Sequence, residues 1–137
     1  MITPDEADVV LYATASCGCY RPWVSQLTRE GLAVSVVRTT TVIRKQAQLG
    51  VPREFSACHT AAVNGYWLEG HVPAESIQKL LDQKPEEIGG IAHLRAQVQE
   101  EDSLLWEVVT YDRNGLAVSS APDSHQLPGQ QSDAHEE

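Results

Sequence analysis

Residues 58–74 read Cys58-His59-Thr60-Ala61-Ala62-Val63-Asn64-Gly65-Tyr66-Trp67-Leu68-Glu69-Gly70-His71-Val72-Pro73-Ala74, and their reading decides the fold. Two short β-prone runs, 60–63 and 66–69, flank Asn64-Gly65, the pair that a two-residue type I′ turn favours. That spacing predicts a β-hairpin. Past Gly70-His71 the period changes. Ile77, Leu80 and Leu81 fall on one stripe of a helix with Pro73 at its first position, Glu75 at the positive end of its dipole and Lys84-Pro85 at its close.

Toward the N-terminus, residues 42–49 read as a short helix closed by Gly50, and the loop after it carries Val51-Pro52. Before that helix, 32–40 (LAVSVVRTT) is rich in β-branched residues and predicts a strand. Residues 20–30 place Trp23, Val24 and Leu27 at helical spacing, with Pro22 in the first turn and Gly31 just past the end. Residues 8–14 (DVVLYAT) are almost continuously apolar, as a central strand buried on both faces requires. Strand, helix and strand predict a right-handed βαβ unit. The whole order is β-α-β-α-β-β-α, that of the thioredoxin-like α/β fold. Toward the C-terminus, 88–103 carry no clear period. Residues 104–111 and 116–118 flank Asp112-Arg113-Asn114-Gly115 and predict an added C-terminal β-hairpin.

A chain of 137 residues is long enough for one core without disulfide staples. We expect a single domain over 1–118 and an acidic, disordered tail over 119–137, which has little to bury and no basic residue. Asp123, Asp133, Glu136 and Glu137 in that tail hold four of the nine net negative charges, so those four need no folded partner. Glu100-Glu101-Asp102 reads as a solvated turn rather than a hard-cation site. An acidic chain without a basic run argues against nucleic acid and anionic membrane as partners. No stretch approaches the ~18–20 apolar residues of a membrane span. Pro4-Asp5-Glu6-Ala7-Asp8 is acidic where a secretory signal is basic. The expected compartment is therefore cytoplasmic as written, or periplasmic if a leader has been removed.

The chain has three cysteines, Cys17, Cys19 and Cys58. An odd set fits reduced thiols, a metal site, or one disulfide plus a free thiol. Cys17-Gly18-Cys19 stands at a strand-to-helix junction, where a helix N-terminus favours thiolate over thiol. Cys58-His59 stands at the start of the hairpin.

Cys17-Gly18-Cys19, Gly50-Val51-Pro52, Cys58-His59-Thr60-Ala61 and the block from Gly65 to Ala74 resemble domain-of-unknown-function family 411, the metal-binding proteins of the CopG copper-resistance type. The resemblance spans roughly residues 8–120. It implies a thioredoxin-like fold, soft-metal binding with copper foremost, and often an exported protein, with no established catalytic reaction. Two departures stand out. Family members read Cys-Gly-Cys-Cys where this chain has Tyr20 in the fourth position. They also carry a Met-, Gly- and Pro-rich segment where this chain reads Ile91-Ala92-His93-Leu94-Arg95-Ala96-Gln97, and its one methionine is Met1.

Fold analogy adds a spatial expectation. Glutaredoxins place the cis-proline that packs against their Cys-x-x-Cys turn five residues before the hairpin Asn-Gly. Five residues before Asn64 is His59, so Cys58-His59 should lie across from Cys17 and Cys19. Sulfur thiolates with an imidazole suit Cu(I) or Zn(II) and disfavour Mg or Ca. The expected metal ligands are Cys17, Cys19, Cys58 and His59, with copper as Cu(I) the expected guest, zinc the alternative, and a metal-transfer protein as partner.

Other residues read more blandly. Buried cysteine packs well as a small apolar group, but Cys17 and Cys19 beside Gly18 at a strand end favour a site. His71 reads as a helix-flanking residue bonded to backbone, with ligation as its second role. His93, His125 and His135 read as solvent-exposed. Tyr20 reads as a lid or as a lost ligand. Tyr66, Trp67, Trp23 and Trp106 read as core. No phosphate loop, Ser-His-Asp order or carboxylate pair supports an enzyme. A thiol–disulfide oxidoreductase is the second reading, although the usual Cys-x-x-Cys pair is absent. A non-catalytic interaction module with a decayed site is the third.

Overall fold

The computed structural model describes residues 2–55, 58–95 and 106–122. After a 3-10 turn at Pro4–Glu6, the elements are β1 (Val9–Ala13), α1 (Arg21–Arg29), β2 (Val34–Arg38), α2 (Val42–Leu49), β3 (His59–Val63), β4 (Tyr66–Glu69), α3 (Ala74–Gln83), β5 (Ile88–Arg95), β6 (Trp106–Asp112) and β7 (Ala117–Pro122). The described residues make a mixed α/β structure whose seven strands form one sheet, ordered β2-β1-β3-β4-β5-β6-β7. The β-α-β-α-β-β-α order expected for the first seven elements is present. Strands β1 and β2 are parallel, with the α1 crossover between them, and β3 runs antiparallel to both β1 and β4.

Local chemistry accounts for these elements. Asn64 and Gly65 both have positive φ, 50° and 85°, as a type I′ turn requires of its two central residues. Helix α2 ends on Gly50 in the left-handed conformation. Pro73 stands one position earlier than expected, as the N-cap of α3.

Amphipathic helices cover both faces of the sheet. Trp23 and Leu27 of α1 and Ile77 and Leu80 of α3 join Val9, Leu11, Ala61, Leu68 and Ile91 in the main core. Truncating Leu11 or Leu27 to Ala there would cost about 2–5 kcal/mol through lost transfer energy and the cavity left behind. The opposite face carries a second cluster of Val51, Trp67, Ala92, Val109 and Tyr111, against which Leu49 and Phe55 pack. Alternation along β4 sends Leu68 to the first cluster and Trp67 to the second.

The C-terminal addition is larger than the expected hairpin. Ile88–Arg95, within the stretch that carried no clear period, forms β5, parallel to β4 and antiparallel to β6. The two glycines that obscured it have a packing reason. The Trp67 ring lies where a Cβ on Gly90 would stand, so only glycine fits. Strand β7 pairs with β6 through Pro122, three residues past the expected start of the tail at 119. The remainder of that tail, 123–137, and the acidic cluster at 100–102 lie outside the described residues. Among the described residues no helix is long and apolar enough to cross a membrane.

Candidate metal centre

The register of two strands brings the cysteines together. Ala13 at the end of β1 stands opposite His59 at the start of β3. The residues just after β1 and just before β3 are therefore neighbours. The Thr14 amide donates to the Cys58 carbonyl at 3.1 Å, and the Cys17 amide turns back to the Thr14 carbonyl at 3.2 Å. Helix α1 then starts at Arg21, with Tyr20 as its N-cap.

The result is a cluster in which the ligand atoms of Cys17, Cys19, Cys58 and His59 all lie within 4.8 Å of one another. His59 Nδ1 is close to all three sulfurs, at 3.4 Å from Cys17, 3.5 Å from Cys19 and 3.9 Å from Cys58. Cys17 Sγ and Cys19 Sγ are 3.9 Å apart. Cys17 and Cys58 form a disulfide, whereas Cys19 is a free, exposed thiol. Of the cysteine states left open by the count of three, the structure takes one disulfide plus one thiol.

These distances can be compared with what an ion needs. A tetrahedral site with metal–sulfur bonds of about 2.3 Å and a metal–nitrogen bond of about 2.0 Å sets sulfurs about 3.8 Å apart and nitrogen about 3.5 Å from sulfur. Three sulfurs alone in a plane would stand about 4.0 Å apart. The Cys17–Cys19 pair and the His59 contacts suit either arrangement. The Cys17–Cys58 pair does not until the disulfide is reduced and the two sulfurs separate. In the reduced state the donor set fits a soft ion.

Burial tunes the imidazoles. His59 is 6 % exposed, and burial lowers its pKa, so a nitrogen lone pair is available at neutral pH. Its Nε2 is buried with no hydrogen-bond partner among the described residues. A metal-bound histidine usually donates its other N–H to an oxygen, so a ligating His59 would lack that support here. His71 stacks on Trp23, with ring centroids 5.8 Å apart, and lies 5.9 Å from the His59 ring. Burial first, then the charges of His59 and His93, lowers its pKa to about 4.

One expectation is corrected. His93 is not solvent-exposed: it is 4 % exposed and stacks on Trp106 at 4.7 Å. Its alternation with Ile91, two residues earlier on the same strand face, was the available signal. His125 and His135 lie outside the described residues. Trp23, Trp67 and Tyr66 are buried, as expected, while Trp106 is half-buried.

Two further residues pack near the sulfurs: Tyr20, read from the sequence as a lid or a lost ligand, and Arg38, to which the sequence reading gave no role. Tyr20 is buried and meets the His59 ring edge-on at 6.0 Å. Arg38, at the end of β2, lies over the Tyr20 ring at 5.3 Å and bonds the carbonyls around Cys17. The groove of about 470 Å³ between α3 and β5–β7 is lined by none of these residues.

Three sulfurs and an imidazole gathered at one end of the sheet are a donor set that suits a soft metal ion. Residues 55–93 match the model of the protein family of unknown function DUF411. A solved structure titled copper resistance protein CopG, form 2, superposes with a TM-score of 0.68 at 29 % identity, over 84 % of this chain and 96 % of that one. Form 1 of the same title gives 0.66 at 27 % identity, over 84 % and 97 %. No curated protein sequence matches. The chain is thus similar to DUF411 over residues 55–93 and to the CopG structures over most of its length.

Proposed function

We propose that this protein binds a soft metal ion through Cys17, Cys19, Cys58 and His59, for sequestration or for transfer to a partner protein, and that its role is not enzymatic. The carrying observation is the convergence of four soft donor atoms within 4.8 Å from segments 39 or more residues apart in sequence. Ligand softness and the copper-resistance titles of the structural neighbours favour Cu(I), with zinc second. The strand order β2-β1-β3-β4 with three helices supports a thioredoxin-like reading of the first seven elements.

Metal binding on this reading follows reduction. A dithiol reductant supplies two electrons and two protons, the Cys17–Cys58 bond becomes two thiols, and the reductant leaves as a disulfide. The ion then displaces the thiol protons, which are released to solvent. Competitive Cu(I) titration of the reduced protein under anaerobic conditions tests this. Tight binding is expected from the wild type, with Cys17→Ser and Cys58→Ser each weakening it strongly. Unchanged affinity in both variants would reject the proposal.

One observation favours a second reading, thiol–disulfide exchange. Cys19 Sγ stands 3.9 Å from the disulfide sulfur of Cys17. Its thiolate could attack that sulfur, forming a Cys17–Cys19 bond and releasing the Cys58 thiolate. Turnover in an insulin-reduction assay, absent from Cys19→Ser, would support this reading over the first.

A further inference from the structure

Opening the disulfide removes the covalent tether that holds Cys17 beside Cys58, so something else must keep the turn in place if the reduced site is to meet a metal preformed. The candidate is a side chain from the edge of the sheet. Arg38 ends β2, opposite Ala13 in the parallel register, and among the described residues β2 has a strand on one side only. Its Nη1 donates to the Thr14 carbonyl at 2.8 Å and to the Cys17 carbonyl at 3.0 Å, with Ala15 at 3.5 Å. The same guanidinium lies 5.3 Å from the centroid of the Tyr20 ring, and that ring packs edge-on against His59. One planar cation thus touches both sides of Cys17-Gly18-Cys19: the backbone entering the turn and the residue leaving it.

We propose that Arg38 is the positioning residue of the centre: with Tyr20, it holds the Cys17-Gly18-Cys19 turn against His59 when the disulfide is open. This rests on the metal-binding reading of the same site. A turn already ordered before the ion arrives spares the complex the entropy of ordering it. The work needs arginine. A guanidinium can bond two carbonyls in its plane while stacking on a ring, whereas an ammonium is a point charge on a flexible stem. The permanent cation also offsets part of the excess negative charge that three thiolates leave around a monovalent ion. Tyr20 takes a matching role: in place of a further thiol, the chain has the ring that Arg38 stacks on.

The test measures alkylation of buried Cys17 by iodoacetamide, mapped by mass spectrometry, beside the Cu(I) titration. In reduced, metal-free Arg38→Met, Cys17 should react about tenfold faster than in the wild type, and Cu(I) should bind about tenfold more weakly. The denaturation midpoint of the oxidised variant should hardly move. Tyr20→Ala should act in the same direction with a smaller effect, which keeps the test available if Arg38→Met does not fold. Arg38→Lys should fail to restore wild-type protection. Full rescue by lysine, or wild-type alkylation and Cu(I) affinity in Arg38→Met, would overturn the proposal. A wild type that takes up no Cu(I), while Arg38→Met still exposes Cys17, would remove the metal reading and leave Arg38 as the positioning residue.

Discussion

His59 and Thr60 are consecutive on β3 and face opposite sides of the sheet, and the two sides treat their polar atoms differently. On the α2 side, Thr60 and Gln46 both donate to Oε2 of Glu69, the Gln46 bond being 3.1 Å, and the three residues are all buried. That network ties α2 to β3 and β4 and has found its partners. On the α1 side, His59 Nδ1 faces three sulfurs while its Nε2 has no partner among the described residues. A buried polar group that is satisfied stabilises or specifies a fold; on the proposed reading, the donors on the other side are held for a soft ion once the disulfide is open. On that reading, adjacent residues of one strand divide structure from function.

The largest test of that division is reduction. The Cys17–Cys58 bond spans a sequence separation of 41. On the chain-entropy model, opening a loop of that size lowers the stability of the metal-free protein by about 4 kcal/mol. Urea unfolding with and without dithiothreitol measures it, and Cu(I) should restore stability to the reduced form alone, because binding to the folded state shifts the equilibrium.

Next in size is the satisfied side. Burial raises the Glu69 pKa from 4.5 to about 7, against the opposing hydrogen bonds from Thr60 and Gln46. The folded state therefore binds the proton more tightly than the unfolded state. The associated stability is fully present below pH 4.5 and is lost as pH rises through about 7. Glu69→Gln should remove this dependence, raising stability at pH 8 by about 3 kcal/mol and changing little at pH 4. Its Cu(I) affinity should stay within about twofold of wild type. A tenfold loss would couple the two faces and break the comparison.

Cys19→Ser sharpens it from the other side. It removes one soft donor and leaves the disulfide intact. Cu(I) affinity of the reduced protein should fall by about 30-fold, roughly 2 kcal/mol, while the oxidised protein unfolds as the wild type does. The smallest expected effect is at His71. Its pKa falls from 6.5 to about 4, so the unfolded chain takes up a proton first on acidification, and stability is lost as pH drops from 6.5 toward 4. Allowing for its partial exposure, His71→Gln should recover about 1–2 kcal/mol near pH 4, read from thermal unfolding across that range.

The sequence made the first seven elements legible because their signals are local. Asn64-Gly65 marked the hairpin, Gly50 closed α2, and the runs at 8–14 and 66–69 had the composition of strands. Strand β5 was hidden because Gly89-Gly90 weaken a strand pattern, and their reasons are distant in sequence: the Trp67 ring against Gly90 and the Asp112 backbone against Gly89. His93 misled because its alternation with Ile91 counts only once 88–95 is read as a strand, and its stacking on Trp106 is a tertiary fact. At the candidate site, counting back from the hairpin turn put Cys58-His59 opposite the Cys-x-Cys turn. Three cysteines allow three pairings, so the Cys17–Cys58 bond could not be chosen from the sequence. Arg38 was invisible for a related reason: its partners are backbone carbonyls twenty-one and twenty-four residues upstream, and backbone carries no sequence signal.

X-ray absorption at the copper edge, on reduced wild-type protein loaded anaerobically with Cu(I), bears most directly on the soft-metal reading. The account predicts a first shell dominated by sulfur at about 2.3 Å that loses a sulfur in Cys17→Ser. A shell of nitrogen and oxygen alone, or a sulfur shell unchanged by that substitution, would contradict it.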